Sequence, residues 1–241
     1  MKLQAIIFDC DGVLVDTERD GHRVAFNLAF AEFGISATWN PLEYKKLVKV
    51  AGGKERMKHY FGQVGWPAGY PDREELILKL HHRKTELFME LIASGELPLR
   101  PGVRRLIDEA IDHGVGMAVC STSNEKSVNL IVERLLGPER KARFSAILAG
   151  DVVSKKKPDP EIYALCRERM DLDPGRCVVI EDSRNGLLAA LGAGFHCLVT
   201  TNGYTLDEDF KEADHVVPEL GDGAAPPITL KELERIIKRK A

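Results

Sequence analysis

Short apolar runs recur along this chain and, from residue 100 onward, alternate with stretches that have helical spacing. Residues 3–8, 115–120, 146–148, 177–180 and 196–199 read as strands, with 214–217 as a last edge strand. Continuous apolar runs of this length fit strands that are covered on both faces. Helices are predicted over 102–113, 125–136, 159–170 and 184–193, with loops and helix starts marked by Pro101-Gly102, Pro158-Asp159-Pro160 and Pro174-Gly175. Strands separated by helices specify βαβ units, so the expected fold class is α/β with a parallel sheet.

Residues 17–96 break this pattern. They hold no convincing strand run and read as four helices near 19–33, 41–50, 54–64 and 73–94, interrupted at Phe33-Gly34, Ala51-Gly52-Gly53 and Gly65-Trp66-Pro67. The expected organisation is therefore an α/β core made of 1–16 and 97–241, with an all-helical cap over 17–96. Two strands of chain join the cap to the core and form a hinge, and a lid over the strand ends is the natural role of such an insert. A flexible loop is expected over 221–227, followed by a last helix ending in Lys238, Arg239 and Lys240.

The chain has 241 residues, 44% of them hydrophobic, which is enough for one large domain or two modest ones with a sizeable core. Lys and Arg number 34 against 37 Asp and Glu, a net charge of -3, which argues against non-specific nucleic-acid binding. No apolar stretch approaches a membrane span, so no membrane partner is expected either. The first strand begins at once, with no signal or transit peptide ahead of it. That points to a cytoplasmic protein or to a mature form. Cys10, Cys120, Cys166, Cys177 and Cys197 form no Cys-x-x-Cys pair and read as buried reduced thiols.

Four candidate constellations lie at strand ends. Asp9 and Asp11 follow the first run and, in an extended backbone, point the same way while Cys10 points opposite. One carboxylate can attack and the other can move protons. Asp-Gly is also a common turn pair, but a turn does not explain two acids after a buried strand. Ser121, Thr122, Ser123 and Asn124 end the second run. Their hydroxyls and the following amides suit a phosphate, and Ser or Asn there equally suits a helix N-cap. Lys157, held extended by Pro158, can reach back to a phosphate and to Asp9, whereas Lys155 and Lys156 read as a solvated loop. Glu181 and Asp182 follow the run 177–180, where buried acids are costly unless they bind something. They suit Mg²⁺, with Asp9, Asp182 and the Asp11 backbone carbonyl as candidate ligands. Two acids starting a helix and favouring its dipole are the alternative.

In the order Asp-x-Asp, Ser, Lys, Glu-Asp, these residues match the four motifs of the haloacid-dehalogenase (HAD) superfamily over residues 9–182. The resemblance implies a HAD-type Rossmann-like core with an inserted helical C1-type cap. It also implies Asp9 as nucleophile, Asp11 as general acid/base, Ser121 and Lys157 as phosphate-holding catalytic residues, and a Mg²⁺ site from Asp9, Asp11, Glu181 and Asp182. Phosphoryl transfer is limited by positioning and charge neutralisation, and this set supplies both. A dehalogenase without phosphate chemistry has no use for Asp11 or Asp182.

The cap carries its own candidates. Gly52 and Gly53 allow close approach of an anion, with Lys54 and Arg56 beside them. His81 and Lys84 share a helix face. A solvated basic face explains these residues as well on composition alone. Glu18, just past the hinge, can accept bonds from sugar hydroxyls or simply begin a helix. These segments, with 64–67, 84–89, 100–103, 119–126, 136–140 and 150–163, resemble the CbbY-type phosphatases, the plastid form of plants and algae in particular. The resemblance implies hydrolysis of xylulose 1,5-bisphosphate, a Rubisco inhibitor formed beside the Calvin cycle, to xylulose 5-phosphate. It implies a small sugar bisphosphate as partner and a chloroplast stroma location if the source is a plant or alga, with the transit peptide absent from this sequence; a monomer is the expected state. A β-phosphoglucomutase, a broader sugar-phosphate phosphatase and a non-catalytic sugar-phosphate sensor are the rival readings. A sensor has no need of Asp11.

Overall fold

The computed structural model describes residues 2–50, 52–221 and 226–238. Part of the loop expected at 221–227, the helix end at Arg239 and Lys240, and Ala51 of the expected break at 51–53 lie outside the described residues. The chain forms two compact units, Met1–Asp16 with Pro98–Ala241, and Thr17–Leu97.

The chain opens with strand β1 (Ala5–Phe8), in which all four residues are buried. After Asp16 it enters the helical unit through a π-helical turn at Thr17–His22, which continues into α1 (Arg23–Glu32). Then come α2 (Pro41–Leu47), α3 (Gly53–Val64) and α4 (Arg73–Ser94). The ends follow from local chemistry. The side chains of Asn40 and Asp72 accept from the backbone N–H three residues on, Pro41 occupies the first turn of α2, and Gly95 ends α4 in the left-handed region. The core of this unit is aromatic. Trp39 is fully buried, with the Phe26 and Phe30 rings 4.8 and 4.9 Å from its own. Each such pair adds about 0.5–1.5 kcal/mol beyond area burial.

The other unit continues with α5 (Val103–Asp112), β2 (Gly116–Ser121), α6 (Glu125–Ile131), α7 (Pro138–Lys141) and β3 (Ala146–Ala149). It goes on with α8 (Glu161–Met170), β4 (Cys177–Glu181), α9 (Arg184–Gly192), β5 (His196–Thr200), β6 (His215–Val217) and α10 (Leu230–Lys238). The helix expected over 125–136 is α6 followed by a π-helical turn, Val132–Leu136, and the short α7 begins at Pro138 after Gly137. All strand pairs are parallel, in the order β3-β2-β1-β4-β5-β6. Alternate strand residues face opposite sides. Ala5, Ile7, Cys120, Val179 and Val199 pack with α8 and α9, while α5 and α10 cover the other face. All five cysteines are buried and free. No described helix is long and apolar enough to cross a membrane.

Candidate active site

Phe8 at the end of β1 pairs with Val119 of β2 on one side and Ile180 of β4 on the other. One residue further on, Asp9 emerges level with Cys120 and Glu181. The strand order reverses at this point, between β1 and β4, which is where open parallel sheets form their ligand crevice. The Arg100 guanidinium ties the loop that follows, donating to the Gly12 carbonyl and to the Thr201 and Pro218 carbonyls at 2.7 and 2.8 Å.

Asp9 is buried, and its Oδ1 accepts from Lys157 Nζ at 2.7 Å. The same ammonium donates to the Cys120 carbonyl at 2.9 Å and to Glu181 Oε1 at 2.6 Å, so all three of its N–H groups are used. Burial pushes the Asp9 carboxyl up to about 8. Lys157 pulls it down, and the Glu181 and Asp11 charges add to the rise. Burial lowers Lys157, but Asp9 and Glu181 together outweigh it and hold the ammonium above the ordinary lysine value. Asp182 is also held well above the usual carboxylate range, by burial first and then by Glu181 and Asp9. One ammonium thus faces more buried acid than it neutralises.

Asp11 Oδ2 accepts from Ser123 Oγ at 2.5 Å and from Ser121 Oγ at 3.3 Å. The hydroxyls expected on a phosphate therefore sit on the second acid. Asn124 caps α6, its Oδ1 accepting from the Lys126 N–H at 3.0 Å, and Thr122 is exposed. For Asn124 the N-cap is the role the structure displays, because its side chain folds back on its own helix.

Glu181 is wholly buried at the end of β4. Its Oε1 accepts from Lys157 and from the Tyr163 hydroxyl, and its Oε2 accepts from the Asp182 N–H at 3.2 Å. Asp182 Oδ2 accepts from Asn202 Nδ2 at 2.7 Å. Gly12 has φ +77°, and a Cβ there would lie 1.9 Å from Asp182 Oδ2, so only glycine serves. One carboxylate oxygen from each of Asp9, Glu181 and Asp182 lies within 4.8 Å of the others. Hard oxygen donors carrying excess negative charge fit a divalent cation such as Mg²⁺. Glu181 already has both oxygens engaged, so Asp9 and Asp182 are the more open donors.

The helical unit holds a second cluster. Arg56 and Lys84 are both buried. The nearest acid is Glu18, which accepts from the Tyr44 hydroxyl at 2.6 Å and lies 3.7 Å from Arg56. Lys84 Nζ is 2.9 Å from His22 Nδ1 and sits over the Phe26 and Phe88 rings. Burial pushes Lys84 down to about 8, with Glu18 raising it and Arg56 lowering it. His22 is held well below its ordinary value by burial, Lys84, Arg56 and His81, so it is neutral and accepts from Lys84. His81 is lowered as well, by burial and then by Lys84 and Lys54. A Cβ on Gly53 would lie 3.0 Å from the His81 ring, so the glycine lets α3 close on α4. Gly52, at φ +87°, precedes α3 and is exposed. The cluster therefore gathers Glu18, Arg56, Lys84 and His81, with Lys54 acting on it by charge.

Sequence reasoning missed four polar residues that complete these clusters. Asn202 stands two residues past β5, a strand-end position that carried a usable signal. Tyr163 lies six residues after Lys157 on the buried face of α8. His22 and Tyr44 carried no comparable signal, because their partners are distant in sequence.

A model of the haloacid dehalogenase-like hydrolases matches residues 3–194. The chain is 57% identical over 222 residues to the CBBY-like protein of Arabidopsis thaliana, covering 90% of this chain and 69% of that one. It is 42% identical over 231 residues to protein CbbY of Cereibacter sphaeroides, covering 94% and 98%. Among solved structures, a CbbY mutant from Rhodobacter sphaeroides in complex with xylulose-(1,5)bisphosphate is similar with a TM-score of 0.72 and 41% identity, covering 91% of this chain and 96% of that one.

Proposed function

Since this chain belongs to the haloacid dehalogenase-like hydrolases and, among them, to the CbbY-type phosphatases, we propose that it hydrolyses the 1-phosphate of xylulose 1,5-bisphosphate to give xylulose 5-phosphate and phosphate. The observation that carries the bisphosphate assignment is the pair of buried cations, Arg56 and Lys84: among the described residues Arg56 has Glu18 at 3.7 Å and Lys84 has no carboxylate in ion-pair contact. A buried cation with no such partner favours an anionic ligand. The complex of the 41%-identical CbbY with xylulose-(1,5)bisphosphate supports the same substrate. On this reading the protein clears a Rubisco inhibitor in the plastid stroma of a plant or alga.

Asp9 attacks phosphorus, a P–O bond forms on its carboxylate, and the bond to the leaving sugar oxygen breaks. Asp11 protonates that oxygen as it leaves. It then takes a proton from the water that attacks the aspartyl-phosphate, which regenerates Asp9. A phosphoryl oxygen takes over one Lys157 N–H from the Cys120 carbonyl and the Ser121 hydroxyl from Asp11, so that Lys157 neutralises its charge and Ser121 holds it, and Glu181 balances the Lys157 charge. Asp9, Asp182 and the Asp11 backbone carbonyl would hold Mg²⁺, which supplies further neutralisation of phosphate charge when bound. Arg56, Lys54, Lys84 and His81 give affinity for the second phosphate, and Glu18 for a sugar hydroxyl.

The direct test is phosphate release from a panel of sugar mono- and bisphosphates with Mg²⁺. The highest kcat/KM is expected for xylulose 1,5-bisphosphate. An equal or higher value for β-glucose 1-phosphate, or its conversion to the 6-phosphate, overturns the assignment. Asp182→Ala is expected to raise the Mg²⁺ concentration needed for half-maximal rate without unfolding the protein, read from a metal titration alongside thermal melting. Full activity of the wild type in excess chelator removes the metal from the mechanism.

Lys54→Ala and Lys84→Ala are expected to lower kcat/KM for the bisphosphate about 10-fold or more, the scale of one charge-assisted hydrogen bond of ~1.5–3 kcal/mol. p-Nitrophenyl phosphate has no second phosphate and should change little. Lys84 also sets a pH limb. With its pKa pushed down to about 8, it is charged below that pH and loses its charge above it. Bisphosphate kcat/KM should therefore fall relative to p-nitrophenyl phosphate as pH rises through 8, and Lys84→Ala should lack that limb. Equal losses on both substrates remove the cap cluster from substrate selection.

A further inference from the structure

The Glu181 carboxylate is held from four sides. Lys157 Nζ donates to Oε1 at 2.6 Å, the Tyr163 hydroxyl donates to the same oxygen at 2.5 Å, and the Asp182 N–H donates to Oε2 at 3.2 Å. The fourth side is Gly186 in the first turn of α9, where a Cβ would lie 1.9 Å from both the carboxyl carbon and Oε2. Tyr163 is wholly buried on α8. Its ring meets Phe195 edge-on at 6.4 Å, and Lys157 Nζ stands 4.9 Å from its centroid.

We infer that Tyr163 is a positioning residue of the phosphoryl-transfer site, acting through Glu181 on Lys157 and so on Asp9. The inference deepens the phosphatase reading and rests on it. Lys157 divides its three N–H groups among Asp9, the Cys120 carbonyl and Glu181. How closely the ammonium stays on Asp9 therefore depends on where Glu181 sits. The Tyr163 hydroxyl anchors Oε1 from the α8 side with a charge-assisted bond. Without that bond the carboxylate is free to rotate on the side away from Gly186. It then competes for Lys157 or turns towards Asp9 and Asp182. Phenylalanine would keep the ring over Lys157 and against Phe195 and would lose only the anchor.

The experiment compares the wild type, Tyr163→Phe, Glu181→Gln and the double variant. Tyr163→Phe should lower kcat about 10-fold on both xylulose 1,5-bisphosphate and p-nitrophenyl phosphate, with KM near wild type and a Tm lowered by a few degrees while the protein stays folded at the assay temperature. In the Glu181→Gln background the same change should have little further effect, the non-additivity expected of groups acting in series. A second readout needs no turnover. In protein labelled with ¹⁵N at lysine Nζ, the Lys157 ammonium signal, identified by its loss in Lys157→Arg, should shift in Tyr163→Phe. An unmoved Lys157 signal overturns the inference, and so does an unchanged kcat or an undiminished effect in the Glu181→Gln background. Each of these leaves the phosphatase reading standing if the wild type hydrolyses sugar phosphates. A wild type that releases no phosphate from any ester overturns that reading instead, and the Lys157 signal then decides the role of Tyr163.

Discussion

Asp9→Asn is expected to release no phosphate from any ester while the protein stays folded. The side chain stands at the end of the central strand, bonded to Lys157 at 2.7 Å, where a phosphorus atom can meet it. An amide oxygen is too poor a nucleophile to form the acyl-phosphate on which turnover depends. The fold should survive because Asn has the shape of Asp and its Oδ1 can accept the Lys157 bond. Burial and the neighbouring Glu181 and Asp11 charges disfavour the ionised carboxylate, so removing the charge relieves repulsion. The checks are phosphate release in Mg²⁺ and thermal melting beside the wild type. Retention of a tenth of wild-type turnover in the purified variant would sink the nucleophile assignment.

Asp11→Asn should lose about 10²–10⁴-fold on sugar phosphates, the usual range for general acid/base help. The amide oxygen can still accept from Ser121 and Ser123, which hold Asp11 at 3.3 and 2.5 Å. Geometry is therefore kept and only proton transfer is lost. The defect should depend on the leaving group. A sugar alkoxide needs a proton to depart, whereas p-nitrophenolate does not. With p-nitrophenyl phosphate the first step should proceed and the second stall, because no base activates water. The expected trace is a burst of about one p-nitrophenolate per enzyme followed by a slow phase, with phosphate held on Asp9. Wild-type rates on sugar phosphates, or equal losses on both substrates with no burst, remove Asp11 from proton transfer.

The two clusters differ in how much of each was legible in the sequence. Asp9, Asp11, Ser121, Glu181 and Asp182 were legible as candidates because each stands at or just past the end of a buried apolar run and strand ends of parallel sheets converge, and Lys157 because Pro158 holds it extended at a helix start. Their pairings were not legible. Lys157 and Asp9 are 148 residues apart, and Ser123 and Asp11 are 112 apart. Nothing local shows that the two hydroxyls bond Asp11 or that Glu181 takes Tyr163. In the helical unit the cations Lys54, Arg56 and Lys84 could be read from the chain. The partners that give them an environment, His22 and Tyr44, could not, because a helix face becomes a pocket only when another helix closes on it.

Sequence alone pointed to the strands and to most of the helices that the structure shows, to an all-helical insert after the first strand, and to candidate residues for the chemistry. Periodicity and turn residues are local properties of the chain, and acids placed directly after an apolar run mark themselves as candidates because a buried charge needs a partner. Tertiary structure decided the strand order that puts β1 between β2 and β4, and so the meeting of Asp9 with Lys157 and Glu181. It decided that Asn124 caps its own helix, that Ser121 and Ser123 bond Asp11, and that burial moves Asp9 and Lys84 each to about 8. Those outcomes depend on the distance and desolvation of groups brought together from remote parts of the chain, and both quantities exist only once the sheet and helices have packed.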